Sequence, residues 1–253
     1  MRYKNNLKEE IRKRWGDRAR TYDNSPGHGI HSDQEKQAWL QILSSALNEK
    51  QGLKVLDVGT GTGALALMLS EMGHKAIGID MSERMLKRAN EKAQTRKLRA
   101  EFRVGDAEDP PFEHASFDAI VSRHLLWTLP NPEKAVKAWK NLLKPGGTIV
   151  IIDGNFSRND RTAIQKVWHL MAMPLILVSE LRDPRMPKDM DEHLPMRQRK
   201  RPEADITLLE AQGLMTSVTN EILPRKYSIL NYIKYGYGQH NKHQFIVKGI
   251  KAA

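Results

Sequence analysis

The sequence predicts an α/β fold, built from βαβ units around a largely parallel sheet, on three observations. From Lys54 onward, short apolar or β-branched runs alternate with stretches of helical periodicity. The first run ends in a turn with three glycines, Val55-Leu56-Asp57-Val58-Gly59-Thr60-Gly61-Thr62-Gly63. The next two runs each end at an aspartate, Asp80 and Asp106.

Strands are expected over 54–59, 75–80, 100–106, 117–123 and 147–153. Between the first two, Leu65, Met68, Leu69 and Met72 recur at helical spacing and place one apolar stripe on a helix that ends at Gly73. Ser82 supplies an N-cap and Glu83 a first-turn acid for a helix carrying Met85, Leu86, Ala89 and Ala93. Asn131-Pro132-Glu133 reads as a cap followed by proline at the first helical position, and that helix stops before Pro145-Gly146-Gly147. The alternation then pauses over 157–202, where an apolar helix, "AIQKVWHLMAMPLILV", precedes a stretch rich in Pro, Met and Arg. A helix over 204–212 and strands over 215–222 and 243–251 close the chain. The organisation expected is an N-terminal helical cap (1–50), a core (51–156 and 203–253) and an inserted lid (157–202).

Composition excludes several classes. With 40% hydrophobic and 28% charged residues the chain can bury a core. Its longest nearly uncharged apolar run, Leu170 to Val178, is broken by Pro174 and falls short of the ~20 residues that span a bilayer. The first twenty residues are charged throughout, without the apolar region of a secretory signal, so a cytoplasmic location is expected. With no cysteine there is no disulfide, zinc ribbon, iron–sulfur cluster or thiol nucleophile. An excess of 41 Lys and Arg over 30 Asp and Glu could attract RNA, an acidic membrane face or an anionic small substrate. Neither basic cluster, residues 2–20 or Arg197–Arg201, is interleaved with the aromatics that stack on single-stranded bases.

The glycine spacing is G-x-G-x-G, not the G-x-G-x-x-G of dinucleotide folds. Gly59 and Gly61 allow a sharp turn and a close backbone approach to a ligand, and the following helix N-terminus offers free N–H groups to a polar or anionic group. Asp57 is a fixed negative charge where a pyrophosphate would lie, which favours a ligand with a cationic end over NAD. Asp80 is placed to accept both ribose hydroxyls of an adenosine, although a helix-capping acid reads the same way in isolation. Asp106 could accept from an adenine amino group while Ala107 offers its N–H. Three strand tips thus converge on one nucleoside, at the carboxyl edge where open α/β sheets bind ligands.

With "GID", "GDAED", "FDAIVSRHLLWTL" and "LLKPGGTIVIID" following the glycine turn in order, the sequence resembles the class I S-adenosylmethionine-dependent methyltransferases, of the small-molecule type that includes quinone-pathway C-methyltransferases. The resemblance covers roughly residues 15–155. It implies a doubly wound, Rossmann-like sheet of seven strands with the last antiparallel, matched by "HQFIVKGIK", and S-adenosylmethionine as cofactor. The cofactor set it implies is Tyr22, Asp57, Gly59, Thr60, Gly61, Gly63, Asp80, Met81, Asp106, Ala107 and Ser122.

Methyl transfer from a sulfonium requires an oriented acceptor and exclusion of water, and a general base only if the acceptor carries a proton. His124, after the fourth strand, and His31, in "NSPGHGIHSD", are the catalytic candidates, with His28 beside the latter. Arg123, Trp127 and Trp168 are substrate-binding candidates, and Arg182, Arg185 and Arg197–Arg201 could attract an anionic acceptor. "DPPF" at 109–112 sits after the third strand and reads as a loop, not as an amino-methyltransferase tetrad. No metal site is expected, since the histidine clusters lack carboxylate or cysteine partners. The expectation is methyl transfer to a small molecule, apolar or anionic. An RNA methyltransferase and a noncatalytic cofactor-binding partner protein are the alternatives.

Overall fold

Along Lys54–Val58 (β1) successive side chains face opposite layers: Leu56 and Val58 join one buried cluster and Val55 the other. A strand buried on both faces needs helices on both sides, and the computed structural model has them. It describes residues 2–25, 27–154, 162–180, 185, 187–224, 229–235 and 243–253. Among these, seven strands form one sheet in the order β3-β2-β1-β4-β5-β7-β6. The other strands are Lys75–Asp80 (β2), Glu101–Val104 (β3), Phe117–Arg123 (β4), Leu143–Asp153 (β5), Met215–Ile222 (β6) and His243–Ile250 (β7). β7 runs antiparallel between β5 and β6, and the pairs from β3 through β5 are parallel.

Arg2–Arg18 (α1) precedes the sheet, and Asp33–Ala46 (α2) packs on it through Trp39 and Leu43. Ala64–Glu71 (α3) joins the same layer through Leu65, Met68 and Leu69. Pro132–Leu142 (α5) and Glu203–Glu210 (α8) cover the other face, with Trp139 and Phe117 fully buried. Glu83–Arg96 (α4) lies beside β2 and β3, and the Ser82 hydroxyl accepts from the Met85 N–H, as its position before the helix predicts. The strand order reverses between β1 and β4, which opens a crevice at the carboxyl ends of the strands.

Two local readings change. Asn131 does not cap α5 with its side chain; both its backbone and side-chain N–H groups donate to the buried Glu108 carboxylate, a charged acceptor that fixes the amide. β5 begins at Leu143, not 147, because Leu143 pairs with Phe117 before a register shift accommodates Pro145-Gly146-Gly147. The inserted segment contains Ala163–Glu180 (α6) and Lys188–Glu192 (α7), and Ile229–Tyr235 (α9) lies against α6.

Candidate active site

The glycine turn is held from below. Asp57 is buried, and its Oδ2 accepts the Thr60 hydroxyl at 2.6 Å and the Ala66 N–H at 3.1 Å. Burial pushes its pKa up to about 6, against those two donors. Gly59, Gly61 and Gly63 all have positive φ, and they divide by surroundings. A Cβ on Gly61 would meet only Tyr22, at 3.8 Å, whereas one on Gly63 would lie 2.9 Å from Ala89 and Phe102. Gly61 therefore walls a cavity, and Gly63 lets α3 pack against α4 and β3.

That cavity lies at the β1/β4 crevice and is lined by Tyr22, Gly59, Gly61, Asp80, Met81, Asp106, Ala107, Arg123, His124 and Trp127 among others. Asp80 accepts the Gly61 N–H at 3.0 Å and the Ser82 N–H at 2.8 Å, yet burial still pushes its pKa up to about 6. Tyr22 is held over the turn because neighbouring Asp23 accepts the Thr62 hydroxyl at 2.5 Å and pairs with Lys92 at 2.9 Å. Burial pushes the Tyr22 phenol up to about 12, so it stays neutral. Arg123 stacks on Trp39 and donates to the His28 carbonyl at 2.5 Å, and its Nη1 is buried with no hydrogen-bond partner among the described residues.

His124 follows β4 with φ of 56°, a left-handed backbone that costs a non-glycine residue roughly 1–2 kcal/mol and is sustained by its surroundings. Its Nδ1 lies 3.0 Å from Asp153 Oδ1, and the Gln244 amide nitrogen lies 3.4 Å from its Nε2. Asp153 also accepts from Arg201 at 2.6 Å and from the Gly154 N–H at 2.9 Å, and Arg201 forms a two-pronged pair with Asp205. Burial opposes the Asp153 charge, but Arg201 and His124 outweigh it and hold its pKa below the usual carboxylate range. An ionised Asp153 accepts a hydrogen bond from Nδ1–H, which in the uncharged tautomer leaves the lone pair on Nε2.

Several sequence candidates lie elsewhere. Thr60 and Ser122 are buried behind the cavity wall, and Asp57 and Gly63 brace the turn without lining it. His31 is exposed and remote from the cavity: Ser32 caps α2, Glu35 accepts the His31 N–H at 3.1 Å, and this reciprocal cap turns the residue outward. His28 takes the inner place instead, its ring 4.3 Å from Tyr22 and 5.8 Å from His124. Trp168 does not reach the cavity; it packs on Tyr232 and donates to the Ile233 carbonyl. Arg182 lies outside the described residues. The cations of 197–201 are engaged with acids: Arg197 with Asp191, Arg199 with Glu133, Lys200 with Glu203, and Arg201 with Asp153 and Asp205.

Sequence reasoning missed Asp153, Gln244 and Lys8, and gave Arg201 a role toward an anionic acceptor where it is a buried partner of Asp153. Lys8 in α1 reaches Asp106 at 2.6 Å and Glu108 at 2.7 Å, closing the cavity from above with Trp15, whose ring stands edge-on to Trp127 at 5.8 Å. The strand-end position of Asp153 was a signal; the others carried none.

Comparisons with known proteins bear on the fold and the family. A family model described as a methyltransferase domain matches residues 56–151. The chain is 34% identical over 160 residues to the chloroplastic tocopherol O-methyltransferase of Arabidopsis thaliana, covering 58% of this chain and 45% of that one. It is 37% identical over 117 residues to the demethylmenaquinone methyltransferase of Thermus thermophilus, covering 46% and 53%. The matched segments span about half the length of these curated relatives. Among solved structures, the YcgJ protein of Bacillus subtilis superposes with a TM-score of 0.59 at 22% identity, over 85% of this chain and 98% of that one. The chain thus shares the fold of that structure, and its residues 56–151 match a methyltransferase domain and resemble quinone-pathway enzymes.

Proposed function

We propose that the chain is an S-adenosylmethionine-dependent methyltransferase acting on a small, proton-bearing acceptor of phenol or hydroquinone type, with His124 as general base. The observation that carries the reading is the convergence, on one cavity, of a Cβ-free glycine turn, the Asp80 carboxylate and the His124–Asp153 pair. The residues fit the cofactor by their chemistry. Asp80 suits ribose hydroxyls, the unpartnered Arg123 Nη1 suits a carboxylate, and Asp106 with the Ala107 N–H suits an adenine edge once Lys8 withdraws. Tyr22 and Met81 supply apolar contact from either side.

When bound, S-adenosylmethionine supplies an electrophilic methyl group on a sulfonium. The chain then has to hold the acceptor in line, exclude water and remove its proton. Trp127 and Trp15 offer the apolar wall for an aromatic acceptor. As the long 3.4 Å contact from the Gln244 amide nitrogen gives way, His124 Nε2 takes the acceptor proton, the ring becomes imidazolium, and Asp153 stabilises that charge while holding the ring orientation. Arg201 and Asp205 keep Asp153 ionised and in place. α1, whose Leu7 and Ile11 pack on Met190 and Leu194 of the inserted segment, acts as the cover that separates the reaction from solvent. The acceptor class rests on the relatives: tocopherol is a phenol, and demethylmenaquinone in its reduced form is a hydroquinone.

The test supplies purified protein and methyl-labelled S-adenosylmethionine with a panel of phenols and hydroquinones, and with total RNA in parallel. Label is expected in a phenol or hydroquinone. Label in RNA alone, or cofactor binding with no transfer to any member of the panel, would overturn the reading.

A further inference from the structure

α6 has eighteen residues and, among the described residues, buries Ala172, Ile176 and Glu180. Its opposite side is apolar: Ile164, Val167, Met171, Pro174 and Val178 recur three or four residues apart and are all exposed, Met171 and Val178 each 75%. α9 continues this face with Ile229 and Ile233, and an apolar groove runs between the two helices. Ten of the thirteen exposed large apolar residues among those described lie on α6 and α9. Scattered exposed apolar residues are ordinary, but a contiguous face of this kind marks an interaction surface.

The charge around the face selects its partner. The acid of this helix pair, Glu180, is buried against Lys234 and Tyr235, which leaves Lys166 as the exposed charge on the two helices. In sequence, the stretches that directly precede or follow the two helices, 155–161, 181–186, 225–228 and 236–242, hold seven Lys and Arg against two acids, in a chain of net charge +11. A second copy would bring the same positive excess to the same face. An anionic bilayer offers both an apolar interior and opposite charge. Among the described residues no helix is long and apolar enough to cross a membrane, so the contact would lie in the plane of the interface.

We infer that the α6–α9 face docks this protein onto an anionic lipid surface. The face is joined to the active-site cover: Asn231 donates to the Asn24 carbonyl at 3.4 Å, and the Tyr235 hydroxyl lies 3.5 Å from Ser25, just after Tyr22. On the functional reading above, an acceptor with an apolar tail would pass from the bilayer to the cavity on this side.

The experiment is flotation of the full chain with vesicles of phosphatidylcholine alone or mixed with phosphatidylglycerol, alongside a Met171→Glu/Val178→Glu variant, with circular dichroism to check its fold. The natural chain should float with the anionic vesicles at least about tenfold better than with neutral ones, and the folded variant should lose that binding. Failure to float with anionic vesicles, or equal binding by the variant, would overturn the inference. So would light scattering that finds a dimer dispersed by the same substitutions. None of these readouts depends on methyl transfer, so this inference and the proposed activity fail separately.

Discussion

The Lys8 ammonium lies 2.6 Å from the Asp106 carboxylate, although 98 residues separate them in the chain. It thereby occupies the acceptor that the nucleoside reading assigns to an adenine amino group, and it ties α1 across the cavity. A half-buried pair of this kind contributes roughly 1 kcal/mol. Because Lys8 has to withdraw before an adenine edge can reach Asp106, Lys8→Ala should raise the S-adenosylmethionine association rate about fivefold. Stopped-flow quenching of Trp15 and Trp127 checks this, and an unchanged association rate would show that the Lys8–Asp106 pair does not gate the cavity.

His124→Asn keeps a side chain that tolerates the left-handed backbone but removes the base. Turnover should fall by roughly 10²–10⁴ while S-adenosylmethionine affinity, read by calorimetry, stays within about twofold. Asp153→Asn should lose a similar share of kcat, because the amide neither orients the ring nor stabilises imidazolium. Retained turnover in both variants would remove the dyad from the mechanism.

Asp57 sets a pH dependence whose sign follows from burial. Its folded pKa of about 6 stands above the unfolded carboxylate value, so the stability it contributes is present in full below about pH 4 and is lost as pH rises through 6. A shift of about two units corresponds to at most ~3 kcal/mol. In urea unfolding without cofactor, Asp57→Asn should therefore gain on the natural chain by roughly 1–2 kcal/mol between pH 5 and pH 7.5. Parallel pH profiles for the two proteins would refute a raised Asp57 pKa.

The two glycines of the turn should separate folding from binding. Gly63→Ala adds a Cβ 2.9 Å from Ala89 and Phe102 at a φ of 82°, and should cost about 2–4 kcal/mol of stability. Gly61→Ala meets nothing closer than 3.8 Å and should cost about 1 kcal/mol, while weakening S-adenosylmethionine binding at least tenfold. Thermal unfolding and calorimetry on both variants read the contrast, and equal losses on both scales would contradict it.

Much of the fold was legible because its signals are local. Period-two apolar runs, the i, i+3, i+4 stripe of Leu65, Met68 and Leu69, and the Ser82 cap act over a few residues. The strand-tip aspartates Asp80 and Asp106 were legible for the same reason: a strand end and a turn are written in adjacent residues.

Tertiary structure decided what the local pattern could not carry. His31 and His28 are three residues apart, and the Ser32–Glu35 cap chose which faces the cavity. Trp168 belongs to a stripe that suits a pocket lining equally well, and the docking of α9 turned it outward from the site. Arg201, in a run that reads as a solvated basic loop, became a buried partner of Asp153 across 48 residues. The sequence alone therefore determined the sheet, the glycine turn and the carboxylates at its edge. The His124–Asp153 pair and the Lys8–Asp106 pair join groups far apart in the chain, and only the packing of whole elements brings such groups within hydrogen-bond reach.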